Sequence, residues 1–131
     1  EWQRGFALYR ASPEFQIINS AMDLAAFKTI FWWEYIHRLW GRLIGVVYVL
    51  PFVFFALKGW LTPRLTWRLS GLLVLGGLQG AIGWWMVKSG LADRPDVSQY
   101  RLAIHLVLAL TILAALFYLA LTLLIQPARP A

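Results

Sequence analysis

Nine consecutive residues, Glu34-Tyr35-Ile36-His37-Arg38-Leu39-Trp40-Gly41-Arg42, hold a carboxylate, an imidazole and two guanidiniums. A carboxylate can carry protons at a reacting centre, a neutral imidazole can ligate a metal, and a guanidinium can grip an acidic group through forked hydrogen bonds. At about 100° per helical residue, Glu34, His37, Arg38, Gly41, Arg42, Gly45 and Tyr48 fall within an arc of roughly 140°. Two positions on that face, Gly41 and Gly45, have no side chain. The chain has one other imidazole, His105, in Arg101-Leu102-Ala103-Ile104-His105-Leu106.

Each feature has a plainer account. Glu34 and Arg38, one helical turn apart, would pair, and Arg42 would snorkel to a membrane surface. A single histidine on an apolar helix is commonly a hydrogen-bonded packing residue. The two histidines are more informative together, because the topology argued below puts both in the same half of a membrane on helices that run in the same direction. Two facing imidazoles suit several metals. A bare zinc or copper ion would want a further ligand, for which Glu34 is the one candidate. A porphyrin brings four nitrogens of its own and needs only an axial pair, here His37 and His105. Its flat body needs small neighbours, which Gly41, Gly45 and the glycines of the second long helix offer beside Gln79. Its propionates need bases near the membrane surface, which Arg38, Arg42 and Arg101 supply. Trp84 and Trp85 line such a pocket or anchor the helix at the interface equally well. The spacing alone does not separate a haem from these alternatives.

The elements that position these residues are written in the composition. Of 131 residues 60% are hydrophobic and only 14% charged, too few charges to clothe a soluble domain of this size. The 19 residues from Leu69 to Val87 contain no ionisable side chain, and from Leu102 to Gln126 only His105 and Tyr118 are ionisable. Either run crosses about 30 Å of hydrocarbon at about 1.5 Å per residue. The reading is an all-α integral membrane bundle with three transmembrane helices. An interfacial segment covers 1–23, interrupted at Pro13, with Ser20 or Asp23 as the helix cap that follows. Membrane helices are expected over 24–58, with Pro51 as a kink site, then 66–87 and 101–126. They are joined by a turn over 59–65 and a polar loop over 88–100, with a tail over 127–131. Gly76 and Gly80 form a G-x-x-x-G pair that admits close approach of a backbone or a flat ligand.

The formal charge of +6 would suggest nucleic acid in a soluble protein. Here the bases sit at helix ends, and no basic stretch is interleaved with exposed aromatics, so anionic lipid and topology explain them and nucleic acid is not a partner. The turn with Lys58, Arg64 and nearby Arg68 carries no acid, so it faces the cytoplasm or matrix, and the 88–100 loop faces outward. Cysteine is absent, which excludes disulfides and thiolate chemistry. The opening Glu1-Trp2-Gln3-Arg4 reads as a cut or a loop rather than a natural start, with no signal peptide.

Three blocks together resemble a known family, haem A synthase of the proteobacterial and mitochondrial branch. They are Glu34-x-x-His37-Arg38-x-x-Gly41-Arg42-x-x-Gly45, the run Gly77-Leu78-Gln79-Gly80-Ala81-Ile82-Gly83-Trp84-Trp85-Met86-Val87-Lys88-Ser89-Gly90-Leu91, and Val97-Ser98-Gln99-Tyr100-Arg101-Leu102-Ala103-Ile104-His105-Leu106. The resemblance covers nearly the whole chain, from Pro13 to about Leu106. It implies an enzyme that oxidises the C8 methyl of haem O to a formyl group, giving haem A for cytochrome c oxidase. It carries the family's axial haem ligands onto His37 and His105 and its functional glutamate onto Glu34. The implied fold has eight membrane helices in two similar halves, and the chain corresponds to helices two to four of the first half. A second histidine pair, with haem B, belongs to the other half, so the segment alone is expected to be inactive. The implied partners are membrane lipid, haem O synthase, an electron donor and the cytochrome c oxidase assembly machinery, with room for a homo-oligomer. The implied location is a bacterial plasma membrane or the mitochondrial inner membrane. Two other classes fit the same histidines: a b-type membrane cytochrome that only passes electrons, and a scaffold subunit in which they merely pack.

Overall fold

Inside lipid no water can satisfy backbone N–H and C=O groups, so a spanning apolar run must close its hydrogen bonds within itself. The computed structural model describes residues 1–92 and 97–125, with the side chains of all of these except 89–92. The chain is all-α: α1 (Trp2–Arg10), α2 (Pro13–Ile17), α3 (Leu24–Leu57), α4 (Pro63–Ala92) and α5 (Gln99–Leu124). The last three are long and apolar enough to cross a membrane. Part of the expected 88–100 loop, and all of the expected 127–131 tail, lie outside the described residues.

Local chemistry explains the helix ends. Ser12 caps α2 by accepting from the Phe15 amide at 3.3 Å, with Pro13 in the first helical position where its missing N–H costs nothing. Of the two candidate caps for α3, Asp23 takes the role, accepting from the Ala26 amide at 2.8 Å. The helix then runs on through Pro51. The second membrane helix starts at Pro63, not 66, because Thr62 Oγ1 accepts from the Leu65 amide at 3.3 Å and Pro63 suits the first turn. It also runs past 87, and Lys88 Nζ stands 5.1 Å from the Trp84 ring one turn back. The third starts at Gln99, with Ser98 as the cap residue.

The turn between α3 and α4 is a Schellman motif. Gly59 has φ +69°, its amide donates to Ala56 O at 3.0 Å, and the Trp60 amide donates to Phe55 O at 3.1 Å. Trp60 stacks on Phe55 with ring centroids 5.7 Å apart, the apolar contact that accompanies this motif. A β-carbon at Gly59 meets no neighbour, so any cost of one is conformational. Gly59→Ala is therefore expected to destabilise the detergent-solubilised protein by about 1 kcal/mol, read as a lower thermal midpoint. An unchanged midpoint would show that the turn relaxes without penalty.

Packing among the described residues is sparse, as befits a surface made for lipid. Only Phe15, Leu72 and Leu119 are buried apolar residues, while large side chains such as Val47, Leu57, Val74 and Phe117 stand exposed. The 1–23 segment folds back as α1 and α2 on an aromatic cluster that joins Trp2, Phe6, Tyr9 and Phe15 to Phe27, Phe31 and Trp32. Asn19 Nδ2 donates to the Tyr9 hydroxyl at 2.9 Å, and burial pushes the Tyr9 phenol above its ordinary pKa. Since α1 touches α3 and α2 touches α4, this segment closes one end of the helix pair.

Candidate functional site

Consecutive membrane helices are antiparallel. Tyr48 OH donates to Leu69 O at 2.8 Å across α3 and α4, close to the turn that joins them. Between α4 and α5, Arg101 Nη1 donates to Trp85 O at 3.0 Å, and Gln79 Nε2 donates to His105 O at 3.0 Å. Residue numbers rise on one helix as they fall on the other. Helix α4 lies against both neighbours, while α3 and α5 do not touch among the described residues.

This makes α4 a ruler for depth. Eleven residues separate His37 from Tyr48, and eleven residues beyond Leu69 lies Gly80, which sets His37 at about the level of Gly80. His105 is tied directly to Gln79. By this register the His37 and His105 positions fall at nearly the same level along α4, although they sit at different distances from their helix starts. A flat group held between them requires the α3 and α5 backbones to stand apart, as they do.

The α3 face is open. Glu34, His37, Arg38, Gly41, Arg42 and Gly45 are all exposed, and a β-carbon added at Gly41 or Gly45 would meet nothing within 4 Å. Arg42 and Gly45 line a shallow groove of about 390 Å³ with Val46, Val49 and Leu50. Arg38 Nη2 donates to Glu34 Oε2 at 2.8 Å, so the expected turn-spaced ion pair forms. In water such an exposed pair would be worth only about 0.3–0.5 kcal/mol, and its screening role grows as the surroundings dry.

The α5 side is closed. His105 is half-buried, with its Nε2 at 3.4 Å from Gln79 Nε2 and its Nδ1 buried without a hydrogen-bond partner. Gln79 Oε1 is likewise buried and unpaired. The ring lies against Gly83, where an added β-carbon would come within 2.9 Å of His105 Cε1. In the sequence Gly83 is one glycine among several, and nothing in its spacing sets it apart. Gly76 and Gly80, by contrast, meet no neighbour within 4 Å, so the G-x-x-x-G pair is not a contact between the described helices.

Arg101 lies over the Trp85 ring at 4.1 Å as well as donating to Trp85 O. One guanidinium N–H is thereby committed to joining the α4 and α5 ends, which leaves others for an acidic group. Trp84 and Trp85 each carry a cation on the ring face, an interfacial arrangement. Among the described residues no group of three or more His, Asp or Glu side chains could hold a bare metal ion. A ligand that needs two imidazoles, open glycines and nearby guanidiniums would fit this donor set better than a bare ion, and the buried His105 Nδ1 has no hydrogen-bond partner among the described residues.

Comparison with known proteins is specific. The family model described as "Cytochrome oxidase assembly protein" (COX15-CtaA) matches residues 1–131. A protein of Maricaulis maris named heme A synthase is 64% identical over 113 residues, covering 86% of this chain and 33% of that relative. Its namesake in Rhizobium johnstonii is 56% identical over 119 residues, covering 91% of this chain and 32% of the relative. That of Azorhizobium caulinodans is 55% identical over 120 residues, 92% of this chain and 34% of the relative. The chain thus spans about a third of the length of these curated relatives. No solved structure matches it significantly. Three spanning helices and bacterial relatives of this similarity place it in a bacterial plasma membrane.

Proposed function

The chain belongs to the COX15-CtaA family of cytochrome oxidase assembly proteins, and from that premise we propose that it is part of a membrane oxidoreductase that makes haem A from haem O. One observation carries the reading. The 113 residues that are 64% identical to a protein named heme A synthase must, in a chain of 131, include Glu34, His37 and His105.

In this reading His37 and His105 are the axial ligands, one from α3 and one from α5. Bound haem supplies a redox-active iron and, as substrate, the C8 methyl that becomes a formyl group. Gly41 and Gly45 leave the α3 face flat for it, and Arg38, Arg42 and Arg101 stand ready for its propionates. Glu34 lies one turn from His37. Its Oε2 is engaged by Arg38, which leaves Oε1 to take or give a proton while the methyl loses hydrogen. The methyl must gain one oxygen atom, from water or dioxygen, and lose hydrogen as protons and electrons, so the reaction requires an oxygen source and an electron-transfer partner. Haem O synthase upstream and cytochrome c oxidase assembly downstream follow from the same substrate and product. Haem B with a second histidine pair, and any homo-oligomer, belong to the complete polypeptide.

Product analysis tests the proposal. The complete polypeptide, expressed with a haem O synthase in cells that lack haem A, should yield a formyl-bearing haem that is resolved from haem O by chromatography and mass. Haem that binds, cycles between oxidation states and is recovered without a formyl group would mark an electron-transfer cytochrome instead. The carboxylate beside the His37 ligand position favours the enzyme, because electron transfer alone needs no proton-carrying group there.

A further inference from the structure

We propose that Gly83 and Gln79 are positioning residues for His105. Gly83 is the floor on which the imidazole rests, and Gln79 is the partner that sets its rotation. The inference rests on the reading of His105 as an axial ligand.

Both contacts come from one face of α4, since Gln79 and Gly83 are separated by one helical turn. A β-carbon at Gly83 would stand 2.9 Å from His105 Cε1, 3.5 Å from Nδ1 and 3.7 Å from Nε2. Even alanine would therefore drive the ring outward or turn it. The ring has little room to retreat with its backbone, because His105 O is held by Gln79 Nε2 at 3.0 Å and the start of α5 by Arg101 on Trp85 O at 3.0 Å.

Gln79 contributes a second constraint. Its one amide nitrogen reaches both His105 O, at 3.0 Å, and His105 Nε2, at 3.4 Å, so it ties the ring to its own backbone. Two buried atoms are left over, Gln79 Oε1 and His105 Nδ1. They are an acceptor and, in the tautomer whose Nε2 lone pair is free for a metal, a donor. A ligating histidine characteristically donates its other ring N–H to a carbonyl or carboxylate, which fixes the ring and raises its basicity. The Gln79 carbonyl is the acceptor this site has to offer.

The test uses the complete polypeptide with haem bound, and reads electron paramagnetic resonance, midpoint potential and the rate of haem transfer to apomyoglobin. Gln79→Leu should keep the low-spin haem but shift its g-values and raise its midpoint potential, because a ligand that loses its acceptor is less basic and holds ferric iron less well. Gly83→Ala should convert part of the signal to high spin and speed haem loss about 10-fold, the lower end of what loss of an outer-shell partner costs a metal site. Gly71→Ala, whose new methyl meets nothing within 4 Å on the same helix, should change none of these. Unmoved g-values and potential in Gln79→Leu overturn the proposal, as does a Gly71→Ala effect equal to that of Gly83→Ala. If Gly83→Ala fails to accumulate, Gln79→Leu decides alone. His105→Ala separates the two levels. A low-spin signal that survives it overturns the ligand reading, whereas a signal lost there but unmoved in Gln79→Leu overturns only the positioning role.

Discussion

On the proposed ligand assignment, His37→Ala and His105→Ala, each in the complete polypeptide, should abolish the low-spin bis-histidine spectrum. Two imidazoles make iron six-coordinate and low-spin, and removal of either leaves a five-coordinate or weakly ligated iron. The substitutions differ in their side effects. His37 is exposed on an open face and makes no hydrogen bond among the described residues, so its loss should leave the helices as they are. His105 packs on Gly83 and faces Gln79, so its loss opens a gap between α4 and α5 and leaves the Gln79 amide nitrogen with only its bond to the residue-105 carbonyl. His105→Ala should accordingly lower thermal stability as well, by about 1–3 kcal/mol, whereas His37→Ala should cost little once haem is removed. Reduced-minus-oxidised spectra in detergent read the first effect and thermal unfolding of the haem-free protein reads the second. A bis-histidine signal unchanged in either variant would remove that residue as a ligand.

The asymmetry between the two histidines also shows where the sequence stopped being legible. The three spans could be read from composition because lipid allows an apolar run few structures, and caps such as Asp23 are small polar side chains at obvious breaks. Which face of each helix turns inward could not be read in the same way. A soluble helix announces its packed side by an apolar stripe, but α4 and α5 are apolar nearly all round, and that stripe disappears. On α3 the charged arc from Glu34 to Arg42 kept the information, and that arc is the open face. On α4 the eye falls on Gly76 and Gly80 for their spacing, yet the glycine that meets a neighbour is Gly83. Only the antiparallel register, with Gln79 opposite His105 and Trp85 opposite Arg101, makes that choice. The start of α4 at Pro63 has a local reason: Thr62-Pro63 reads as a turn until Thr62 is seen to be the cap.

The same register bears on why a carboxylate sits where Glu34 does. An ionised group at membrane depth costs about 2.5–3.5 kcal/mol on insertion scales, so a helix that keeps one gains something by it. Pairing with Arg38 reduces that cost but does not explain it, since two apolar residues would avoid it altogether. Arg38 is more economically read as the residue that fixes one of the Glu34 oxygens. The residue it holds lies one turn from His37, where the proposed methyl oxidation would release protons.

Glu34→Gln should therefore bind haem normally and fail to turn it over. The amide has nearly the same volume and can still accept from Arg38, so the 2.8 Å contact survives in weaker form and the α3 face keeps its shape. It cannot carry a proton at neutral pH. Loss of a positioned proton carrier costs typically about 10²–10⁴-fold in rate, so haem A should fall below detection by chromatography while haem O or a partly oxidised haem accumulates on the protein. Arg38→Gln is the informative companion. If Glu34 serves only to neutralise Arg38, both substitutions should lower haem content together and spare the product made per bound haem. If Glu34 carries the proton, Glu34→Gln alone should separate binding from turnover, leaving the bis-histidine spectrum in place with no formyl-bearing product. A Glu34→Gln protein that loses its haem would place Glu34 among the groups that build the site, and the proton path would then have to start elsewhere on this face.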